Sequence, residues 1–246
     1  MTNRSNGRRV ALITGANKGI GFEISRQLAK QGITVVMGAR HERRGAEAAA
    51  RLLHEGLEVH QVRLDVTDAS TIETLPRFFQ ERFGRLDILV NNAGILQDEG
   101  TPLDKLDIQV LRQTFETNFF GAFAVTKALL PLIRVSEAGR IVNVSSQLGS
   151  LADICNPESA YAGFLSSAYS ASKVALNALT VLLAKELRGT NVKVNSADPG
   201  WVQTDMGTVL APSTPEEGAD TPVWLATLPA DGPNSGFFSS RQPMAW

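Results

Sequence analysis

Two side chains four positions apart are the residues of this chain best suited to acid–base chemistry. They are Tyr169 and Lys173, in the sequence Tyr-Ser-Ala-Ser-Lys near the start of residues 168–188, whose apolar spacing predicts a helix. Side chains at positions i and i+4 lie on one helix face, so the phenol and the ammonium point the same way. A free tyrosine titrates at about pH 10, and a neighbouring ammonium favours the phenolate and lowers that pKa. We therefore expect Tyr169 to transfer a proton, with Lys173 lowering its pKa.

A serine at the end of a predicted strand is the third member of this candidate site. The strand over residues 140–144 is followed by Ser145 and Ser146, and functional residues of a doubly wound sheet collect at the strand C-terminal ends. A serine there can hold a substrate carbonyl oxygen, although such serines also commonly bond loop backbone. A Tyr–Lys pair at this spacing also arises by chance, and Tyr161 is a rival tyrosine. Tyr161 is followed four positions later by Leu165 rather than by a lysine.

A glycine-rich loop follows the first predicted strand, residues 10–13, and precedes a predicted helix, residues 22–30. Its glycines are Gly15, Gly19 and Gly21, in the spacing G-x-x-x-G-x-G. Glycines let the backbone approach a pyrophosphate, and the N-terminus of the helix offers it free N–H groups and a positive dipole end. A purely structural turn is the alternative, but the strand–loop–helix context favours dinucleotide binding.

The residue after the second predicted strand, residues 34–37, distinguishes the two nicotinamide cofactors. An NAD site places a carboxylate there for the ribose 2′-hydroxyl, but this chain has Arg40. Arg40, together with Lys18 in the glycine loop, could pair with a 2′-phosphate. Both could instead be solvated surface cations, yet their two positions favour NADP over NAD.

Short apolar runs alternate with amphipathic stretches along the whole chain, and this alternation predicts the elements that hold the site. The predicted strands cover residues 10–13, 34–37, 59–64, 86–90, 140–144 and 192–196, and the predicted helices cover residues 22–30, 41–54, 70–83, 107–130 and 168–188. Continuous apolar strands separated by helices predict a parallel sheet covered by helices on both faces. With right-handed crossovers this is a doubly wound α/β sheet of the Rossmann type, and we see no domain boundary within residues 1–246.

Composition excludes several classes of partner. The 24 basic and 25 acidic residues give a net charge of -1, which is no footprint for nucleic acid. The sequence contains no run of 18 apolar residues, so it predicts no membrane span. The polar residues 1–9 are not followed by the apolar segment that a signal peptide would have. The single cysteine, Cys155, permits no intrachain disulfide. We expect a cytoplasmic protein with a small-molecule substrate and no metal ligands.

Taken together, these motifs resemble those of the short-chain dehydrogenase/reductase family over nearly the whole chain. The residues that carry the resemblance are the stretch 14–21, Asp65, Val66, Asn91, Asn92, Ala93, Gly94, Asn118, Ser146, Tyr169, Lys173, Pro199, Gly200 and Thr204. Within the family, residues 14–21, 199–206 and 236–238 are most similar to the carbonyl reductase branch. The resemblance implies an NADP-dependent oxidoreductase that reversibly reduces a ketone or aldehyde to an alcohol.

The resemblance also implies a role for each matching residue. Tyr169 would donate the proton, Lys173 would bind the nicotinamide ribose, Ser146 would orient the substrate carbonyl and Asn118 would anchor a relay water. Asp65 and Val66 would contact adenine. The full set of expected cofactor-binding residues is Gly15, Asn17, Lys18, Gly19, Ile20, Gly21, Arg40, Asp65, Val66, Asn91, Ala93, Gly94, Tyr169, Lys173, Pro199, Gly200, Val202 and Thr204.

Two other functions are known for proteins of this fold class, a non-catalytic NADP sensor and a sugar-nucleotide epimerase. A non-catalytic NADP-binding or sensor protein would have the same fold, although such proteins often lose the tyrosine or the lysine. A sugar-nucleotide epimerase would need a larger C-terminal part than the 73 residues after Lys173.

Tyr169 follows Ser146 by 23 positions, and the extra residues, 153–165, resemble a shortened form of the carbonyl reductase insert. The sequence therefore leaves open whether the protein is a monomer or a homo-oligomer. It also leaves open whether an apolar pocket or plain packing surrounds four side chains: Leu148, Cys155, Phe164 and Trp201.

Overall fold

The computed structural model describes residues 7–246, and their strands form one twisted sheet. The strands are β1 (Val10–Thr14), β2 (Thr34–Ala39), β3 (Val59–Arg63), β4 (Ile88–Asn91), β5 (Arg140–Val144), β6 (Lys193–Asp198), β7 (Phe237–Ser239) and β8 (Gln242–Pro243). Their order across the sheet is β3-β2-β1-β4-β5-β6-β7-β8. All neighbouring pairs are parallel except β7 with β8. The order reverses between β1 and β4, and ligands of such sheets bind at that point, beyond the strand C-terminal ends.

Helices cover both faces of the sheet. They are α1 (Gly19–Lys30), α2 (Glu42–His54), α3 (Ala69–Ile72), α4 (Leu75–Arg82), α5 (Ile108–Phe115), α6 (Ala122–Arg134), α7 (Leu151–Ile154), α8 (Ser167–Glu186), α9 (Pro215–Gly218) and α10 (Asp220–Ala226). A π-helical turn, Glu116–Gly121, joins α5 to α6, and 3₁₀ turns cover Leu103–Lys105 and Gln147–Gly149.

Alternation along the strands divides the interior into two apolar cores. In β1, Ala11 and Ile13 face one core, which also holds α1, α2 and α10. Val10 and Leu12 face the other, which holds α4, α6 and the C-terminal half of α8. Because successive strand side chains point to opposite faces, fully buried strands need apolar residues at every position. The expected doubly wound Rossmann-type fold is confirmed, whereas the single-domain organisation of residues 1–246 stays a prediction.

A line of buried polar side chains crosses this apolar sheet. Asn91 Nδ2 donates to Asn143 Oδ1 at 2.8 Å and to Thr126 Oγ1 at 3.0 Å. Asn143 Nδ2 donates to Thr180 Oγ1 at 2.8 Å, and that hydroxyl shares a 2.8 Å hydrogen bond with Ser196 Oγ. These five residues are nearly inaccessible to solvent. Their hydrogen bonds join β4, β5 and β6 to α6 and α8.

Several predicted elements differ from the observed ones. The single helix expected over residues 70–83 is wrong, because α3 and α4 are separate and Pro76 lies in the first turn of α4. Proline has no N–H to donate and fits the first turn of a helix, so it favours a new start there. The helix expected over residues 107–130 extends to Arg134 and contains the π-helical turn. Strands β7 and β8 were not expected from the sequence, and the remaining elements agree within a few residues.

No helix of residues 7–246 is long and apolar enough to cross a membrane. The expectation of no signal peptide concerns residues 1–9, of which residues 1–6 lie outside the described part of the chain.

Candidate active site

A cleft of about 980 Å³ opens at the C-terminal ends of the central strands, where the strand order reverses. It collects most of the residues expected from the sequence: Gly15, Asn17, Lys18, Gly19, Ile20, Gly21, Arg40, Asp65, Val66, Ala93, Gly94, Tyr169, Lys173, Pro199 and Thr204. Five expected residues do not line it: Asn91, Asn118, Ser146, Gly200 and Val202. In the described residues, no group of three or more His, Cys, Asp or Glu side chains could hold a metal ion.

Asn91 is placed differently from its expected role in the cleft. Its side chain lies in the buried polar line between β4 and β5, because the strand directs it into the sheet interior rather than toward the strand end. Val202 is also turned inward, and its Cγ2 would lie 2.6 Å from a Cβ built on Gly218. Gly200, by contrast, has a φ of +76°, so it supplies a left-handed turn beside the cleft.

The glycine loop brings its backbone close to the cleft. Gly15 and Gly19 have φ values of +65° and +55°, which side-chain-bearing residues rarely adopt. Helix α1 begins at Gly19, and the N-cap residue Lys18 makes no side-chain cap hydrogen bond. The first N–H groups of α1 are therefore available to an anion.

Replacing Gly21 by alanine is expected to weaken NADPH binding about tenfold and to lower the thermal unfolding midpoint. A Cβ on Gly21 would lie 2.4 Å from Asn92 Nδ2 and 2.6 Å from the carbonyl oxygen of Gly15, so the loop must shift. Titration of NADPH fluorescence and a thermal melt would measure both effects. Gly163→Ala is the matched control, because no atom lies within 4 Å of its added Cβ, and unchanged binding by Gly21→Ala would contradict the prediction.

Helix α8 brings Tyr169 and Lys173 to the cleft, and both side chains are buried. Lys173 Nζ donates to the carbonyl oxygen of Val144 at 2.8 Å and lies 5.5 Å from the centroid of the Tyr169 ring. The Ser146 side chain lies near the Tyr169 phenol, and its Oγ accepts the N–H of Leu148 at 3.2 Å. The 3₁₀ turn after Ser146 packs closely on α8, since a Cβ on Gly149 would lie 2.7 Å from Lys173 Cβ. The structure thus brings Ser146, Tyr169 and Lys173, three of the four residues expected to act in catalysis, close together.

The pKa of Tyr169 moves in the direction opposite to the one expected from the sequence. Burial raises the pKa, the nearby Ser146 side chain lowers it by a smaller amount, and the Asp198 carboxylate raises it further. The Lys173 ammonium is directed at a backbone carbonyl rather than at the phenol, so burial dominates the pKa of Tyr169. Burial also lowers the pKa of Lys173 to about 8, against an upward effect of Asp198. Tyr169 therefore stays protonated at neutral pH, as a proton donor must.

Asn118 lies in the π-helical turn and is almost fully buried. Its Oδ1 accepts the N–H of Ile95 at 2.8 Å, and its Nδ2 donates to the Ile95 carbonyl at 2.9 Å and to Ser172 Oγ at 3.0 Å. The two amide hydrogens are thus occupied within the protein. Asn118 joins the loop after β4 to α8, and its expected role as anchor of a relay water stays a prediction.

The part of the cleft that Arg40 and Lys18 line carries more charge than the sequence suggested. Arg40 and Lys18 both line the cleft as expected, and Arg44 of α2 lies there too. Lys18 forms an ion pair with Asp205, a carboxylate that we did not expect in this cleft. Both partners are largely exposed, so the pair contributes little stability and could be exchanged for a phosphate. Arg44 lies four positions after Arg40, in the first turn of α2, and this proximity in the sequence could have pointed to it.

Comparison with known proteins agrees with this geometry. A family model for short chain dehydrogenases matches residues 9–214. Carbonyl reductase (NADPH) 1 of Mus musculus is 38% identical over 282 aligned positions, which cover 98% of this chain and 100% of the mouse protein. (+)-Neomenthol dehydrogenase of Arabidopsis thaliana is 37% identical over 293 positions, covering 96% of this chain and 97% of the plant protein. The NADPH-bound carbonyl reductase from chicken fatty liver has a TM-score of 0.85 at 27% identity, covering 97% of this chain and 99% of that structure.

The chain belongs to the short-chain dehydrogenase family. Within that family it is carbonyl reductase-like, and both expectations from the sequence are confirmed.

Proposed function

We propose that this protein is an NADPH-dependent oxidoreductase that reduces a ketone or aldehyde to an alcohol. The observation that carries the proposal is the buried Tyr169 placed beside Lys173, and near Ser146, in a cleft that also contains the glycine loop. The names of the mouse and chicken relatives, both carbonyl reductases with NADPH, support the same reaction and cofactor.

The cleft fits a dinucleotide on its own geometry. The uncapped N-terminus of α1 offers N–H groups to a pyrophosphate, and the positive φ values of Gly15 and Gly19 keep the loop close to it. Arg40 and Arg44 line the cleft and could pair with a 2′-phosphate, and Asp65 and Val66 line it and would contact adenine. Bound NADPH would supply the hydride, while the protein supplies position and electrostatics.

The chain's own residues supply and orient the proton. Ser146 would hold the carbonyl oxygen of the substrate beside the Tyr169 hydroxyl, and that hydroxyl would donate its proton to the oxygen as negative charge develops. Lys173 would bind the ribose hydroxyls through its ammonium, and in doing so it would hold positive charge near the phenolate that forms.

Turnover separates this function from a non-catalytic NADP sensor. We expect NADPH to be oxidised with at least some members of a panel of ketones and aldehydes, and the alcohol to be recovered. NADPH binding without turnover across the panel would favour the sensor. The presence of both Tyr169 and Lys173 in the cleft argues against it.

The substrate is a small molecule whose identity the cleft leaves open. None of the four side chains considered from the sequence, Leu148, Cys155, Phe164 and Trp201, lines the cleft.

The mouse alignment is longer than this chain, so the mouse protein has residues that this chain lacks, in accord with a shortened insert. We propose a cytoplasmic protein that binds no nucleic acid, on its single cysteine and its net charge of -1, with the oligomeric state open.

Replacing Asp198 by asparagine is expected to move the alkaline loss of activity to lower pH. Asp198 accepts the N–H of Gln147 at 2.9 Å and raises the pKa of both Tyr169 and Lys173. Each group is protonated below its pKa and loses its proton as the pH rises through that value. Removing the negative charge of Asp198 lowers both pKa values, so both protons are lost at lower pH.

The pH dependence of kcat/KM for NADPH measures this, because it reports the ionisations of the free enzyme. Asp153→Asn is the matched control. Its carboxylate acts on the pKa of Tyr161 and not on those of the two catalytic groups. A profile of Asp198→Asn that is unchanged, or moved to higher pH, would refute the assigned electrostatic effect.

A further inference from the structure

A buried carboxylate lies against the start of the helix that carries the proton donor. Asp98, in the loop after β4, is 1% exposed. Its Oδ2 accepts the N–H of Ala168 at 2.6 Å, and its Oδ1 accepts the N–H of Tyr169 at 3.3 Å. Both oxygens are therefore directed at the backbone of the residues that place the Tyr169 side chain.

Helix α8 has no cap of its own at this end. Its N-cap residue, Ser166, makes no side-chain hydrogen bond to the helix backbone, and its Oγ is instead within 3.1 Å of Ser170 Oγ. An N-cap side chain normally accepts the N–H of the second or third helical residue. In α8 these residues are Ala168 and Tyr169, so Asp98 provides that cap from 70 positions earlier in the chain.

The same loop is fixed to the cofactor side of the cleft. Ile95, three residues before Asp98, exchanges two hydrogen bonds with Asn118. The N–H of Gly100, two residues after Asp98, donates to the Leu165 carbonyl at 2.8 Å. Asp98 therefore lies within a segment held at one end near Gly94 and at the other beside the start of α8.

We propose that Asp98 is a positioning residue for the proton donor: by binding the first N–H groups of α8, its carboxylate fixes the distance of Tyr169 from the loop that lines the cofactor cleft. The inference rests on the proposed function, because Tyr169 has to meet a substrate oxygen next to the nicotinamide end. A carboxylate suits this position, because it accepts two N–H groups at once and complements the positive end of the helix dipole. Misplacing a reacting group by about 1 Å can cost about a hundredfold in rate.

A graded pair of variants tests the proposal. Asp98→Asn keeps one carbonyl oxygen as acceptor, so kcat for carbonyl reduction should fall about tenfold, and Asp98→Ala should lower it about a hundredfold. The Kd for NADPH should stay within about threefold of wild type in both, because the phosphate-binding residues are untouched. All rates are measured well below each variant's unfolding midpoint.

Asp87→Asn is the matched control at the opposite end of β4. Asp87 is also buried and accepts the N–H of Val10 at 2.8 Å and the Ser136 hydroxyl at 2.6 Å, but it lies away from the cleft. The Asp87→Asn variant should lose thermal stability and keep the wild-type kcat. An Asp98→Asn kcat within twofold of wild type would overturn the proposal. So would equal loss of kcat in Asp87→Asn, which would indicate a general effect of a weakened fold.

Amide hydrogen exchange tests the same proposal without turnover. In both Asp98 variants the amides of residues 167–170 should exchange faster while the centre of α8 stays protected, and unchanged exchange there would overturn the proposal. If wild type shows this protection but reduces no carbonyl compound, the proposed function fails and the capping by Asp98 stands.

Discussion

Replacing Tyr169 by phenylalanine is expected to lower kcat for carbonyl reduction about a thousandfold, while NADPH still binds. The variant removes the proton donor and leaves an aromatic ring in a buried site, so packing is nearly preserved. General acid catalysis by one positioned group typically contributes about 10²- to 10⁴-fold, and the predicted loss lies in that range. Steady-state rates with the best substrate of the carbonyl panel, together with the Kd for NADPH, measure the two parts of the prediction.

Tyr161→Phe is the control for this experiment, since Tyr161 is the second tyrosine of the chain. It is half-buried, and burial also raises its pKa, but its side chain does not line the cleft. We expect its kcat to stay within about threefold of wild type. If Tyr169→Phe kept a near-wild-type kcat, the mechanism would be wrong. If both variants lost activity equally, Tyr169 could not be singled out as the donor.

Replacing Arg40 by aspartate should abolish or reverse the preference for NADPH over NADH. A charge-assisted hydrogen bond contributes about 1.5–3 kcal/mol, and each 1.4 kcal/mol or so is a factor of ten, so its loss alone costs about 10- to 150-fold. The new carboxylate would also repel the 2′-phosphate while accepting a 2′-hydroxyl. We therefore expect the ratio of kcat/KM for NADPH to that for NADH to fall by about a hundredfold or more.

The Arg43→Asp variant distinguishes the loss of a direct contact with the 2′-phosphate from a general effect of the changed charge. Arg43 lies three positions after Arg40, in the first turn of α2, and its replacement gives the same change of charge. It lines the adjoining pocket of about 470 Å³ but not the cleft, whereas Arg40 lines both. Its effect on the cofactor ratio should be smaller than that of Arg40→Asp, because the Arg43 side chain is largely exposed and does not line the cleft, so water and salt screen its charge. A wild-type preference for NADH, or equal shifts in the two variants, would refute the assignment of Arg40 to the 2′-phosphate.

The parts of the site that local patterns determine could be predicted from the sequence. Apolar runs located six of the strands, and the i,i+4 spacing located Tyr169 and Lys173 on one helix face. The glycine spacing located a loop whose φ values only glycine adopts easily. Each of these signals lies within a few consecutive residues, where backbone geometry alone decides the outcome.

The parts that depend on distant neighbours could not be predicted. The pKa of Tyr169 is dominated by burial, which no spacing along the chain reveals. Asp98 caps α8 from 70 positions away, and Lys18 pairs with Asp205 from 187 positions away. Asn91 matched a family motif, yet its side chain belongs to the sheet interior. In each case the tertiary contact, not the local sequence, sets the role.

The buried polar line through Asn91, Asn143 and Thr180 has a consequence for how this sequence can vary. An apolar residue at Asn143 alone would remove one hydrogen bond from the Asn91 amide and one from the Thr180 hydroxyl, which would keep only their bonds to other partners such as Thr126 and Ser196. Replacing all members together by apolar residues of similar shape would leave no polar group stranded. Neutral drift at these positions therefore requires simultaneous changes, and the path from one acceptable combination to another passes through less stable proteins.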